Sequence, residues 1–135
     1  MRDLSNVHFL GARHRRLVPG ILRRLSASLV PFVESDLTAR IVPAKVFEAL
    51  AAGVVPVCTA FSRNLDAFEQ RGLVLVARTR AEFVELVRQA IRSDTPQRRD
   101  ELAAFGLRQT WSERCKQMND ILSRIPIASA ESAHG

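Results

Sequence analysis

Two uninterrupted apolar runs constrain the fold of this 135-residue chain more than any other feature of its sequence. The runs are VVPVCT at 54–59 and GLVLVA at 72–77. Strands without polar alternation are typical of parallel sheets, because helices cover both faces of such sheets. A shorter run, SLVPF at 28–32, predicts a third strand. The run NVHFLG at 6–11 predicts a fourth strand that ends in a glycine turn.

Segments with helical spacing lie between and after these runs. The predicted helices cover residues 14–26, 43–52, 62–70, 80–93, 96–108 and 110–125. Pro43 suits the first position of its helix, and Gly53 suits the position after its end. The alternation predicts an α/β fold with a Rossmann-like parallel sheet and flanking helices. We expect one domain over residues 1–125 and a flexible tail over 126–135.

Several side chains are predicted to belong to the core. On the helix 43–52, the packing face comprises Val46, Phe47, Leu50 and Ala51. We expect Cys58 to be a small apolar filler, Trp111 to anchor the last helix on the core, and His8 to lie in the core or at a sheet edge.

Composition excludes several classes of protein. The two cysteines lie far apart and form no cluster with histidine, so neither a zinc site nor a disulfide is expected. We expect no cofactor either. Reduced thiols and the lack of a leader or a long apolar run predict a cytoplasmic protein. The net charge of +6 suits an anionic partner or a solvated arginine face. No aromatic residues alternate with the clustered arginines, so we expect no nucleic-acid partner, whereas peripheral membrane contact stays open.

The start of the helix 43–52 is the best candidate for a binding site. It follows the strand SLVPF, and ligands of open α/β sheets bind beyond the carboxyl ends of the strands. The helix N-terminus and Lys45 would attract a phosphate, and Glu48, one turn further, could accept hydrogen bonds from two neighbouring hydroxyls. The predicted ligand is a nucleoside diphosphate or another phosphate-plus-diol compound. The alternative is that Lys45 and Glu48 form a surface ion pair.

The segment VPAKVFEALAAGVVPV resembles the donor-binding segment of GT-B glycosyltransferases of the family 4 / group 1 type. The matching residues are Pro43, Lys45, Val46, Phe47, Glu48, Leu50, Ala51, Gly53, Pro56 and Val57. Flanking stretches are similar too, among them NVHFLG, LVLVARTRAEFVELVRQAI and RQTWSERCKQMNDIL. The resemblance covers about residues 5–125.

The resemblance implies a nucleotide-sugar donor, a UDP- or GDP-sugar, used without a metal ion. By its pattern Glu48 would hold the nucleotide ribose, and the backbone around Pro43, Ala44 and Lys45 would meet the diphosphate. Arg40 stands where many members of the family carry a first glutamate. It could face a donor phosphate or be an ordinary loop residue. The resemblance assigns no catalytic residue, sugar, base, acceptor or stereochemical outcome to this chain.

The resemblance is to part of the C-terminal, donor-binding domain, without its first strand and helix and without an acceptor domain. We therefore expect a glycosyltransferase-like protein of hexosyltransferase type that transfers a sugar only when an acceptor domain completes it. The alternative is a non-catalytic nucleotide-binding or interaction module left from a truncated enzyme. An incomplete sheet exposes an edge, so we expect the isolated chain to be marginally stable, or to associate with itself or with an acceptor-domain chain.

Overall fold

A three-stranded parallel sheet is the centre of the fold in this computed structural model, which describes residues 4–125. The strands are β1 Ser28–Val30, β2 Pro56–Thr59 and β3 Leu75–Ala77, in the order β1-β2-β3. The helices are α1 Val18–Leu22, α2 Ala44–Ala51, α3 Asp66–Gln70, α4 Arg80–Arg92, α5 Pro96–Gly106 and α6 Trp111–Leu122. This arrangement confirms the predicted α/β, Rossmann-like fold.

The middle strand of the sheet, β2, is buried between its two neighbours. Cys58 pairs with Val30 on one side and with Val76 on the other, and all three side chains are buried. The core therefore runs across the sheet from β1 to β3, as expected for a continuous apolar run. Burial raises the pKa of the Cys58 thiol to about 12, so this cysteine is an inert filler, as predicted.

Helix α2 packs against β1 and β2 with Val46, Ala49 and Leu50 fully buried. Phe47 and Ala51, which we predicted on the packing face, are half-buried beside it. Pro43 is the N-cap rather than the first helical residue, a shift of one position. Gly53 follows the helix with φ of +74°, which confirms its predicted role because this left-handed conformation disfavours other residues.

Helices α2 and α5 approach each other closely where Gly106 ends α5. A Cβ atom built on Gly106 would lie 2.2 Å from the backbone nitrogen of Ala51. No side chain fits such a gap, so the glycine sets the distance between the two helices. This contact fixes the position of the connection from α5 to α6, which forms one wall of the site described below.

A second link joins α1 to α5 through Arg99. Its guanidinium donates to both carboxylate oxygens of Asp94, each at 2.6 Å. The same group donates to the carbonyl oxygens of Arg23 and Leu25, each at 2.8 Å. These carbonyls follow the short helix α1, so Arg99 supplies donors to backbone groups that the helix itself leaves unpaired.

Four sequence-based expectations are wrong. Residues 6–11 form no strand in the described part of the chain, and Phe9 and Leu10 are exposed, because no neighbouring strand pairs with them. His8 is exposed for the same reason. Trp111 is 88% exposed and does not anchor α6 on the core. The predicted helix 14–26 is reduced to α1 and a preceding 3-10 turn, and the predicted tail 126–135 lies outside the described residues.

Within residues 4–125, every helix is too short or too polar to cross a membrane. The same part of the chain brings together no group of three acidic, cysteine or histidine side chains that could hold a metal ion.

Candidate functional site

Glu48 lies in a cavity of about 570 Å³ between α2 and the connection from α5 to α6. The α2 wall comprises Ala44, Phe47, Glu48 and Ala51. The opposite wall comprises Gly106, Leu107, Gln109, Thr110, Trp111 and Arg114. A volume of this size is in the range of small-molecule sites, typically about 300–1,000 Å³.

The helical repeat explains the α2 wall. Residues three and four apart share one face of a helix, so Ala44, Phe47, Glu48 and Ala51 line up along it. The close approach of α5 to α2 at Gly106 brings the second wall within reach. That wall continues into α6, which begins after its N-cap residue Thr110. The Thr110 hydroxyl oxygen accepts a hydrogen bond from the backbone N–H of Glu113.

The chemistry of the cavity rests on one carboxylate, one guanidinium and one indole. Glu48 is exposed to solvent, and no ion pair in the described part of the chain involves it. Across the cavity, Arg114 donates to the side-chain oxygens of Gln109 at 2.6 Å and Gln117 at 3.1 Å. Trp111 lines the same wall and is largely exposed. A polar ligand with an apolar ring fits this combination.

The first turn of α2 opens into the same cavity. Pro43 is in an extended conformation and no side chain caps the helix, so its first N–H groups have no side-chain acceptor. Ala44 lines the cavity together with Glu48. The two residues are four positions apart, about 6 Å along the helix axis. An anion-attracting helix end and a carboxylate therefore face one space.

Glu48 also borders a second cavity of about 440 Å³ on the other side of α2. There it faces α1 and the turn before it, which contribute Arg15, Pro19 and Arg23. Glu48 thus lies on a ridge between two cavities, with cationic side chains lining both. The sequence did not predict this second neighbour, because it depends on how α1 lies against α2.

Lys45 is not grouped with Glu48 in the structure. Its Nζ atom lies 5.9 Å from the centre of the Phe32 ring, and no ion pair with Glu48 occurs among residues 4–125. Phe32 lines a different depression, described next, and Lys45 lines neither cavity that contains Glu48. The surface ion pair that sequence reasoning kept as an alternative is absent from this described region.

The depression at the carboxyl ends of the strands is separate from the Glu48 cavities. This rim crevice, of about 570 Å³, contains Phe32, Glu34, Thr59, Arg78 and Arg80 among its lining residues. Thr59 closes its floor by donating its hydroxyl to the carbonyl of Phe32. Sequence reasoning placed the candidate ligand at this edge of the sheet but did not single out Arg78 or Arg80. Their position directly after strand β3 was the available signal.

Arg40 ends a 3-10 turn, Thr38–Arg40, in the loop before α2. The Asn64 side chain donates to its carbonyl oxygen at 2.9 Å, and the Ser62 hydroxyl donates to the carbonyl of Ala39 at 3.0 Å. These bonds fasten the loop to the segment after β2. The Arg40 side chain is exposed and lines neither of the Glu48 cavities.

A protein-family model described as glycosyl transferase-like matches residues 3–120 of the chain. The chain belongs to the glycosyl transferase-like family. No curated protein and no solved structure matches it. The matched residues include α2 and all residues that line the two Glu48 cavities and the rim crevice. The match confirms the glycosyltransferase resemblance that was noted for the segment VPAKVFEALAAGVVPV.

Proposed function

We propose that this member of the glycosyl transferase-like family binds a nucleotide-sugar donor, a UDP- or GDP-sugar, in the cavity beside Glu48. One observation carries the proposal: Ala44, at the uncapped start of α2, and Glu48 line the same cavity, about 6 Å apart along the helix. That spacing suits a diphosphate at the helix end and the attached ribose at the carboxylate.

Each part of the cavity suits one part of such a ligand. The Glu48 carboxylate can accept hydrogen bonds from both ribose hydroxyls. The first backbone N–H groups of α2, from Ala44 and Lys45, would meet the diphosphate. Arg114 adds a cation on the opposite wall, and Trp111 offers a ring on which a base could stack.

The side chains of the other predicted residues do not contact the ligand in this proposal. Pro43 holds the chain extended and leaves the helix end uncapped. The side chains of Lys45 and Arg40 line neither Glu48 cavity, so they contribute positive charge near the helix end rather than direct contacts.

Sugar transfer requires an acceptor site in addition to the donor site. We propose that a separate acceptor-binding part, a domain or a partner chain, completes the enzyme, and that residues 4–125 alone bind the donor without transferring the sugar. The second candidate function is a nucleotide-binding module without transfer. It is favoured because Glu48 and Arg114 are the only titratable side chains that line the cavity within the described residues. When Glu48 is hydrogen-bonded to the ribose, no other side chain that lines the cavity can act as a general base.

Calorimetric titration with UDP, GDP and their sugars tests donor binding. Glu48→Gln should weaken binding about tenfold or more, since hydrogen bonds to a charged group contribute roughly 1.5–3 kcal/mol. Glu34→Gln is the matched control, because Glu34 is an exposed carboxylate in the separate rim crevice. Unchanged affinity in Glu48→Gln, or a loss confined to Glu34→Gln, would move the site away from α2. A donor that binds but is not transferred even when a separate acceptor-binding chain is supplied supports the module without transfer.

A further inference from the structure

The excess positive charge of the chain is concentrated in one short stretch. Residues 4–33 contain five arginines and no acidic residue, whereas residues 34–135 contain 14 basic and 13 acidic residues. The five arginines lie within residues 13–25, which we call the basic segment, and they are Arg13, Arg15, Arg16, Arg23 and Arg24. All five are exposed, and none forms an ion pair with any residue between 4 and 125. The basic segment is therefore a cationic surface that no neighbouring carboxylate neutralises.

The fold holds the basic segment in place. A 3-10 turn, Arg15–Leu17, runs directly into α1. Beyond α1, Arg99 donates hydrogen bonds to the carbonyl oxygens of Arg23 and Leu25, which ties the end of the segment to α5. The guanidinium groups extend from an ordered backbone, so less conformational entropy is lost when a partner binds them.

The basic segment has two sides. One side faces the second Glu48 cavity with Arg15 and Arg23. The outer side comprises Arg16, Leu17, Gly20 and Arg24, none of which lines either Glu48 cavity. A Cβ atom built on Gly20 would meet no atom within 4 Å, so the space beside this part of α1 is open. The outer side can therefore lie against a broad surface while the Glu48 cavities stay accessible.

Exposed apolar side chains accompany the arginines. Leu17 on the outer side is 56% exposed, and Leu25 at the end of the segment is 37% exposed. Phe9 and Leu10, shortly before the segment, are 67% and 51% exposed. A nucleic-acid backbone attracts only the cations, whereas an anionic bilayer also takes apolar side chains into the boundary between headgroups and acyl chains. The combination of arginines with exposed leucine favours a membrane surface.

We propose that the outer side of the basic segment binds the surface of an anionic lipid bilayer. Charge complementarity carries the proposal, because clusters of this size without acidic neighbours are attracted to anionic headgroups. Each arginine near such a surface raises the partition coefficient about fivefold, which corresponds to roughly 1 kcal/mol. The aliphatic parts of Arg16 and Arg24 would lie along the apolar boundary beside Leu17, with their guanidinium groups at the lipid phosphates.

Co-sedimentation of the full chain with lipid vesicles tests the proposal. The probes are vesicles of phosphatidylcholine alone and vesicles of equal parts phosphatidylcholine and phosphatidylglycerol, at low and at physiological ionic strength. We expect binding to the anionic vesicles only, and weaker binding at the higher ionic strength because salt screens the arginines. Arg16→Gln, Arg24→Gln should weaken binding at least about tenfold, since two arginines are removed from the surface.

Arg63→Gln, Arg80→Gln is the matched control. It also removes two exposed arginines that have no ion pair within the described residues. Arg63 and Arg80 follow β2 and β3 at the carboxyl edge of the sheet, whereas Arg24 precedes β1 at the opposite edge. The control should therefore change vesicle binding by about twofold at most.

Leu17→Gln distinguishes a bilayer from other anionic partners. It should weaken binding to anionic vesicles about threefold to tenfold, because an apolar side chain no longer enters the bilayer, and it should leave binding to duplex DNA unchanged. Equal binding to neutral and anionic vesicles, or binding to neither, overturns the proposal. A control variant that loses as much affinity as Arg16→Gln, Arg24→Gln overturns it too, since net charge alone would then explain the binding.

Duplex DNA that binds more tightly than anionic vesicles, with no effect of Leu17→Gln on either, would assign the surface to nucleic acid instead. The proposal does not rest on nucleotide binding. Calorimetric titration of Arg16→Gln, Arg24→Gln with UDP should match the unsubstituted chain, because neither residue lines a Glu48 cavity. Failure of vesicle binding and failure of nucleotide binding are therefore separate results.

Discussion

The backbones of Gly106 and Ala51 lie so close together that a Cβ atom on Gly106 would come within 2.2 Å of the Ala51 nitrogen. The neighbouring atoms are backbone atoms of α2, which cannot rotate away as a side chain can. The two helices that carry the walls of the Glu48 cavity are therefore held at a distance that only glycine permits. Packing and the candidate site depend on the same contact.

The first prediction is that Gly106→Ala destabilises the fold strongly. The methyl group would push α5 away from α2, and overpacking of this kind typically costs about 1–3 kcal/mol or more. Urea unfolding measures the change. Gly20→Ala is the control, because Gly20 lies in α1 with open space around it and ordinary φ, so it should be neutral or slightly stabilising. Equal effects of the two substitutions would contradict the close approach.

The second prediction concerns pH and the Asp94–Arg99 pair. Hydrogen bonds from Arg99 hold the pKa of the Asp94 carboxyl below its ordinary value. The same hydrogen bonds raise the pKa of the Arg99 guanidinium. The pKa of Asp94 is lower in the folded chain than in the unfolded chain, where it is about 3.9. The ion pair therefore stabilises the fold fully at pH values above the unfolded pKa. This stabilisation is lost as the pH falls through the folded pKa.

Asp94→Asn should therefore lower the free energy of unfolding at pH 7 by about 1.5–3 kcal/mol and flatten its dependence on pH below about 4. Urea titrations at a series of pH values provide the measurement. Glu85→Gln is the control: its ion pairs with Arg88 and Arg92 are exposed on α4, so its removal should change stability little. An unchanged acid slope in Asp94→Asn would show that other carboxyls dominate.

The third prediction is that Cys58 does not react while the chain is folded. Burial raises the pKa of its thiol to about 12, and the side chain is fully buried in β2. In a Cys115→Ser variant, which leaves Cys58 as the single thiol, a thiol reagent should modify Cys58 only upon unfolding. The exposed Cys115 of a Cys58→Ala variant should react within the native protein. Rapid native-state modification of Cys58 would contradict the buried middle strand.

The fourth prediction separates the diphosphate from the nucleoside. Arg114 faces Glu48 across the cavity, so Arg114→Gln should weaken binding of UDP or GDP more than binding of the corresponding nucleoside. Arg124→Gln removes the same charge beyond the end of α6 and should affect neither ligand. Calorimetry at low protein concentration gives both affinities. An equal loss for nucleotide and nucleoside would place Arg114 at the base or ribose instead.

Local signals in the sequence predicted most of the fold. The run VVPVCT specified a strand buried on both faces, and Cys58 within it is fully buried. The helical repeat of AKVFEALA, closed by Gly53, specified α2 to within one residue at its start. These signals work because apolar periodicity and glycine conformation act within a few residues of the chain.

The sequence by itself determined the α/β class, the order of helices and strands from residue 28 onward, and the placement of Glu48 about one turn inside α2. Tertiary structure alone decided that Glu48 faces α5 and α6 while Lys45 lies over Phe32. It also decided that NVHFLG has no strand partner within residues 4–125 and that Trp111 is exposed. The physical reason is that neighbours across the fold, rather than neighbours along the chain, determine which face of a segment is covered.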